Sequence, residues 1–262
     1  MMEEFGKANL VEPFIATAVL SGGLISELAD GERKTGLLEQ VVTGNLQLAC
    51  AYAEKGSRFN LGKVTTSATT QGDNVLINGK KIAVLNGPNA DQILVVVRES
   101  GEETDADGIS IFLVDAASEG IAINSFTNID GKKSSEIVFK NVSVPSSNRL
   151  GDAGAALPAL QKIIDRSIVG VSAEAVGAME LLLQKTVEYS KTRKQFGTSI
   201  GTFQALQHRM ADMFIECQLA RSIVIMAAMK LDGGESALEK TKSVSAAKSR
   251  IGRAIQKDGQ EA

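Results

Sequence analysis

The sequence predicts an α+β fold in three consecutive parts. These are a short N-terminal helical region over residues 1–45, a central antiparallel β-barrel or sandwich over 46–150, and a truncated C-terminal helical bundle over 151–262. Two observations predict it. Apolar residues recur at helical spacing before Gly44 and after Ala155, and at strand spacing between them. The middle stretch is rich in Val, Ile and Thr and is divided by turn residues.

Composition sets the frame. A chain of 262 residues suffices for one large or two ordinary domains. With 44% hydrophobic and 23% charged residues, a real core and a globular class are expected. A net charge of -3 argues against a broad nucleic-acid-binding face. Two cysteines, Cys50 and Cys217, and one histidine make neither a disulfide framework nor a metal site, and fit a reduced, cytoplasmic setting. No apolar run reads as a membrane span and no signal peptide precedes the first helical pattern.

In the first part, a helical pattern runs up to Pro13. A second, from Phe14 to Leu28, is interrupted by Gly22 and Gly23, and Lys34 to Val42 gives a short helix ended by Gly44. From Leu46 the period becomes two. Seven segments follow: LQLACAY, KVTTSATTQ, NVLINGKKIAVLNG, DQILVVVRE, GISIFLVDA, GIAINSF and SEIVFKNVSV. Gly72-Asp73, Asn78-Gly79, Asn86 to Asn89, Asp107-Gly108 and Asp130-Gly131 read as the turns between them, and Asn148 to Gly151 as a linker.

Three helices are expected in the last part. Leu157 to Ser190 is apolar on nearly every side and should lie buried among others. Phe203 to Leu231 carries the seam Phe203, Leu206, Met210, Met213, Cys217, Ala220, Val224, Ala227 and Leu231, whose steps alternate three and four. Glu235 to Lys257 aligns Leu238, Thr241, Val244, Lys248, Ile251 and Ile255 on one face. Three long helices without a fourth look incomplete, so the exposed seam is expected to be covered by another chain.

The break between the first two of these helices draws most attention. Lys191, Arg193 and Lys194 end one helix, and Gln204 opens the next. Free amides beside an arginine favour an anion such as a phosphate. On spacing alone the plainer reading is preferred, in which the basic side chains satisfy the last carbonyls of the first helix. Asp165-Arg166, a charged pair in a greasy helix, reads either as a buried ion pair or as a carboxylate held against a substrate cavity. His208 reads as structural. Glu180, Glu188, Lys191 and Lys194 read as a solvated face, and Met210, Met213, Met226 and Met229 as core filler.

The stretch YSKTRKQFGTSIGTFQALQHRMADM, Tyr189 to Met213, resembles the helix-turn-helix of acyl-CoA dehydrogenases. DGISIFLVDA, the NGKK…NG…AD hairpin, FKNVSVP and DRSIVGVSAEAVGAM extend the resemblance over most of the chain. It implies an FAD flavoenzyme that removes α and β hydrogens from an acyl-CoA thioester. It implies that Arg193, Gln195, Phe196 and Gln204 contact FAD, typically that of a neighbouring subunit, with the arginine on the pyrophosphate. It also implies that Arg166 lies at the acyl-CoA cavity and that Asp165 stands where some members place a catalytic glutamate.

There are departures from the family pattern. AEKGSRFN, Ala53 to Asn60, stands where the family has TEPxAGSD, with Phe59 in place of a serine. Ala83 and Leu85 replace a Trp and a Thr that contact the flavin ring, and Leu85 cannot make the threonine's hydrogen bond. Two further readings therefore stand beside the FAD-dependent dehydrogenase. One is a non-catalytic subunit that completes an unlike partner's FAD site. The other is a scaffold that keeps the fold alone. Partners are another copy or an unlike acyl-CoA dehydrogenase subunit, and the electron acceptor is not legible.

Overall fold

Eight strands form the central sheet of the computed structural model, which describes residues 1–262. They are β1 (Leu48–Ala51), β2 (Ser67–Gln71), β3 (Asn74–Leu85), β4 (Gln92–Arg98), β5 (Ile109–Asp115), β6 (Ile121–Thr127), β7 (Lys133–Pro145) and β8 (Arg149–Leu150). Their order is β6-β7-β3-β2-β4-β5-β8, with β1 paired on β4, and the path does not close into a barrel. All seven segments expected from the period-two pattern are strands. The sheet is antiparallel except where β1 runs parallel to β4, from Leu48↔Gln92 to Ala51↔Val95, and where Ser67 pairs Arg98.

Strand alternation builds two cores. On β4 and β5, Leu94, Val96, Ile109, Ile111 and Leu113 face one way, onto Leu20, Leu24, Ile25, Leu160 and Ile163. Ile93, Val95, Val97, Phe112 and Val114 face the other, onto Val75, Ile77 and Val84 of β3 and Ile137, Phe139, Val142 and Val144 of β7. Central strands covered on both faces read as continuous apolar runs, as QILVVVR and ISIFLVD do. The result is a sandwich, within the class expected.

Local details correct the sequence reading at several points. Asn78-Gly79 is not a turn but an irregularity inside β3, where the register with β7 shifts between Ile77 and Gly79. A Cβ on Gly79 would lie 2.5 Å from Thr66 Oγ1, so only glycine allows this approach. Within the expected linker, Arg149–Leu150 is a strand, paired to Ile111 and Phe112 of β5. Arg149 is fixed there by Glu99 at 2.6 Å and by the Phe112 ring at 5.2 Å. Gly22 and Gly23 do not interrupt the N-terminal helix. A π-helical segment, Ile15–Gly22, continues directly into α2 (Gly23–Leu28). The helix α1 (Met2–Lys7) stops short of Pro13, while α3 (Gly31–Val42) starts earlier than expected.

The chain divides into two units, Val11–Ile164 and Met1–Leu10 with Asp165–Ala262. The second unit contains α5 (Gln204–Asp232), α6 (Ala237–Glu261) and most of α4 (Leu157–Thr192). Val176 and Met179 of α4, Cys217, Ala220 and Val224 of α5, and Ile251 and Ala254 of α6 form its core. Met213 and Ala227 of the expected α5 seam are also buried. The inward face of α6 differs from the expected one. It is Ser243, Val244, Ala247, Ile251, Ala254 and Asp258, whereas Leu238 and Lys248 are exposed. Small residues on both helices let them approach, a signal that large apolar side chains alone do not carry. Ser236 caps α6 by accepting the Glu239 amide.

Three other expectations change. Met226 and Met229 are exposed rather than core filler, and join Phe214, Ile215, Leu219 and Ile225 in an uncovered apolar face of α5. Glu180 is not simply solvated: it pairs with Lys7 at 3.2 Å and Arg221 at 2.5 Å. By length and apolar composition, α4 would suffice to cross a membrane, contrary to the sequence reading. Leu160, Ile163, Val176 and Met179 are buried, but Ile164, Ile168, Val169, Val171, Leu182 and Leu183 are only half-buried, so the helix is not buried on every side as expected.

Candidate functional site

Between α4 and α5 lies a minimal hairpin, β9 (Lys194–Gln195) and β10 (Thr198–Ser199), with Thr198 paired to Gln195 and Ser199 to Lys194. Its two-residue turn is Phe196-Gly197, with φ of +55° and +81°. Positive φ at both positions matches the twist of the strands but suits Asn-Gly, not a bulky first residue. Phe196 therefore holds a costly conformation. It is also 92% exposed, touching Phe203 edge-on at 6.2 Å between ring centroids. An exposed phenyl ring held in a strained turn is poorly explained by folding alone.

The end of α4 is satisfied without its basic residues. Ser199 Oγ donates to the carbonyls of Ser190 at 2.6 Å and Lys191 at 3.0 Å. Thr192 Oγ1 donates to those of Glu188 and Tyr189, and the Arg193 amide donates to Tyr189 at 2.8 Å. The plainer reading of the basic cluster, as carbonyl caps, is thus overturned. The side chains of Lys191, Arg193, Lys194, Gln195 and Gln204 are exposed. None of the hairpin's charged or amide side chains is used within the chain. The N-terminus of α5 has no side-chain cap. A free guanidinium, free amides and an exposed ring at one helix end suit a diphosphate with an attached aromatic system.

Asp165 and Arg166 differ in burial. Asp165 is buried, and its Oδ2 accepts from Thr241 Oγ1 of α6 at 2.7 Å. Arg166 is exposed, because consecutive helical residues point in different directions, so the two are not buried as a pair. Thr241 was read from sequence only as a member of the α6 stripe, and its hydroxyl toward Asp165 had no separate signal. His208 is exposed. Cys50 and Cys217 are buried and free, and burial pushes both thiols up to about 12, which makes them inert.

In the β-unit, the two stretches that depart from the family pattern are well defined. Ala83 is exposed with φ of +51° at a second register shift of β3, between Lys81 and Val84. Such a bulge re-aims side chains. Leu85, two residues on, is exposed, and Phe59 in the Ala53–Asn60 loop is fully so. The backbone irregularity is thus present, although residues 83 and 85 offer it no hydrogen-bonding side chain.

Comparison with known proteins gives concordant matches. The family model for the acyl-CoA dehydrogenase middle domain matches residues 49–142, and that for the C-terminal domain matches residues 157–262. The caffeyl-CoA reductase-Etf complex subunit CarC of Acetobacterium woodii is 31% identical over 252 residues, covering 94% of this chain and 65% of that protein. The short-chain specific acyl-CoA dehydrogenase of Clostridium acetobutylicum is 32% identical over 218 residues, covering 82% and 57%. Among solved structures, butyryl-CoA dehydrogenase from Megasphaera elsdenii superposes with a TM-score of 0.84 at 28% identity, over 98% of this chain and 70% of that one. PigA with FAD and proline gives 0.90 at 26%, over 99% and 69%. The chain therefore spans about two thirds or less of the length of these relatives.

Proposed function

The chain belongs to the acyl-CoA dehydrogenase family, and on that premise we propose that it is an FAD-dependent flavoprotein acting in the α,β-dehydrogenation of an acyl-CoA thioester. One observation carries the reading: Arg193 stands free beside the strained, exposed Phe196, with the α4 carbonyls of Glu188 to Lys191 already met by Ser199 and Thr192. In this reading Arg193 holds the FAD diphosphate, Gln195 and Gln204 bond its polar groups, and Phe196 packs on the cofactor. When bound, FAD supplies the acceptor for the β-hydride. Arg166 meets the acyl-CoA, and Asp165, held by Thr241, takes the α-proton.

A second reading rests on Leu85 and Phe59. Neither supplies the hydroxyl that the family pattern places there, so a flavin lying on this face would lack those hydrogen bonds. The chain then acts as a supporting subunit whose hairpin completes the FAD site of another copy or of an unlike dehydrogenase chain. The uncovered α5 face of Phe214, Ile215, Leu219 and Met226 supports an oligomer of either kind. The Acetobacterium relative is named as part of an Etf complex, which favours a flavoprotein as electron partner.

Arg193→Ala tests both readings. Loss of a charge-assisted bond of this type costs about 1.5–3 kcal/mol, roughly ten- to a hundredfold in affinity. If the chain serves its own oligomer, FAD absorbance of the purified protein should fall accordingly. If it serves an unlike partner, the isolated chain should be colourless, and FAD retained by the mixed complex should fall instead. Full FAD retention in Arg193→Ala, alone and in complex, refutes the assignment of the hairpin.

A further inference from the structure

Lys81 is wholly buried in the β-unit, although it stands in an NGKK hairpin sequence that reads as solvated charge. Its Nζ lies 2.6 Å from Glu54 Oε1, and Glu54 is itself buried. A single ammonium–carboxylate pair in such a place is costly to desolvate, and replacement by apolar side chains is often neutral or better. Its surroundings explain what it does. Glu54 Oε1 also accepts the Thr66 amide at 3.0 Å, and Oε2 accepts the Thr65 amide at 2.8 Å and the Thr65 hydroxyl. One carboxylate thus collects four donors from two other segments. The Ala53 carbonyl accepts the Ile82 amide at 2.9 Å, and Ser57 closes the loop back on the Glu54 backbone. The residues that follow Lys81 are the ones in the bulge, with Ala83 at φ of +51°.

Burial alone would raise the Glu54 carboxyl, but the Lys81 ammonium and the threonine donors hold it down at about 2. It is therefore ionised at any working pH and acceptor-only, as four donors require. The clasp joins the two stretches of the β-unit that the family pattern turns toward cofactor and substrate, Ala53–Asn60 and Ala83–Leu85.

We propose that Glu54 and Lys81 are positioning residues: their buried pair clamps the Ala53–Asn60 loop to the β3 bulge, so that both stretches present one fixed face to the flavin. The proposal rests on the FAD reading above and deepens it. Neither side chain touches the cofactor; each acts through the backbone it holds.

The test uses Glu54→Gln, Lys81→Met and the double variant, each in the FAD-loaded protein, alone or with the partner chain that loads it. The double variant removes both buried charges, so neither is left unpaired. Amide hydrogen exchange over 53–66 and 81–85 should quicken at least tenfold in every folded variant. FAD should be held at least tenfold more weakly, with a displaced flavin absorption band. A purely structural pair predicts otherwise, because the double variant would then match wild type in exchange, affinity and spectrum, and that result overturns the proposal. Faster exchange with unchanged FAD affinity and spectrum overturns it as well. A wild-type protein that takes up no FAD under any condition overturns the cofactor reading and the proposal together, and is told apart because it needs no variant.

Discussion

Gly177→Ala probes how α1 is held in the second unit. In α4 a Cβ at residue 177 would lie 1.8 Å from the Glu3 carbonyl oxygen and 2.7 Å from its carbon. The contact is reciprocal, since a Cβ on Gly6 would lie 1.8 Å from the Glu174 carbonyl oxygen. Both obstacles are backbone, so α1 must retreat by roughly 2 Å to restore an ordinary contact distance. That retreat stretches Arg221 to Glu3, now 2.8 Å, and Lys7 to Glu180, now 3.2 Å. These pairs are partly exposed and contribute little. Overpacking adds about 1–3 kcal/mol, against a helix-propensity gain of about 1 kcal/mol for alanine over glycine. The net expectation is a loss of about 1–3 kcal/mol. Six residues of α1 do not hold a helix by themselves, so undocking should also melt it. Gly252→Ala in α6 is the control: nothing lies within 4 Å of its Cβ, so it should stabilise by about 1 kcal/mol. Denaturant unfolding followed by far-UV circular dichroism gives the sign, and hydrogen exchange over residues 2–7 gives the undocking. If Gly177→Ala stabilises the protein as Gly252→Ala does, the close α1–α4 approach is refuted.

Two further outcomes follow from buried carboxylates. Glu54 has a folded pKa of about 2 against an ordinary 4.5, so the unfolded chain binds the extra proton between those values. The stabilisation that its ionised form draws from Lys81 and the threonine donors is complete above pH 4.5 and is lost as pH falls toward 2. Melting temperature measured from pH 6 to 2.5 should therefore drop more steeply in wild type than in Glu54→Gln, and parallel curves would contradict the pairing. Asp165→Asn keeps an acceptor for Thr241, so the protein should stay folded while dehydrogenation by the FAD-loaded protein is abolished. Normal turnover in Asp165→Asn would remove it as the base, and global unfolding would return it to a purely structural role.

Much of the fold was written in periodicity. The alternation of β4 and β5 separates two cores, and the three-four steps of α5 bury Met213, Cys217, Ala220, Val224 and Ala227. What pattern could not supply was contact between distant segments. Gly6 and Gly177 are individually unremarkable helix glycines, and only their mutual approach across the chain gives them meaning. The α6 face was misplaced for a related reason: Ala247 and Ala254 of α6 are buried, as are Ala220 and Ala227 of α5, whereas hydrophobicity alone ranks Leu238 above them. Lys81 and Glu54 were illegible because a charge in a hairpin sequence looks solvated until four donors are found converging on one carboxylate.

The candidate site shows the same limit at closer range. Lysines and arginines in a last helical turn usually have carbonyls to satisfy, so the local pattern at Lys191 to Lys194 favours capping. The carbonyls of Ser190 and Lys191 instead receive Ser199, which returns to them only because Phe196-Gly197 reverses the chain in two residues. The strained turn and the free arginine are thus one construction. The hairpin closes, its serine relieves the basic cluster of capping, and the guanidinium of Arg193 is left available beside an exposed ring. Glycine or asparagine would make that turn at lower cost, so the ring's retention there is better explained by what it meets outside the chain than by the fold that carries it.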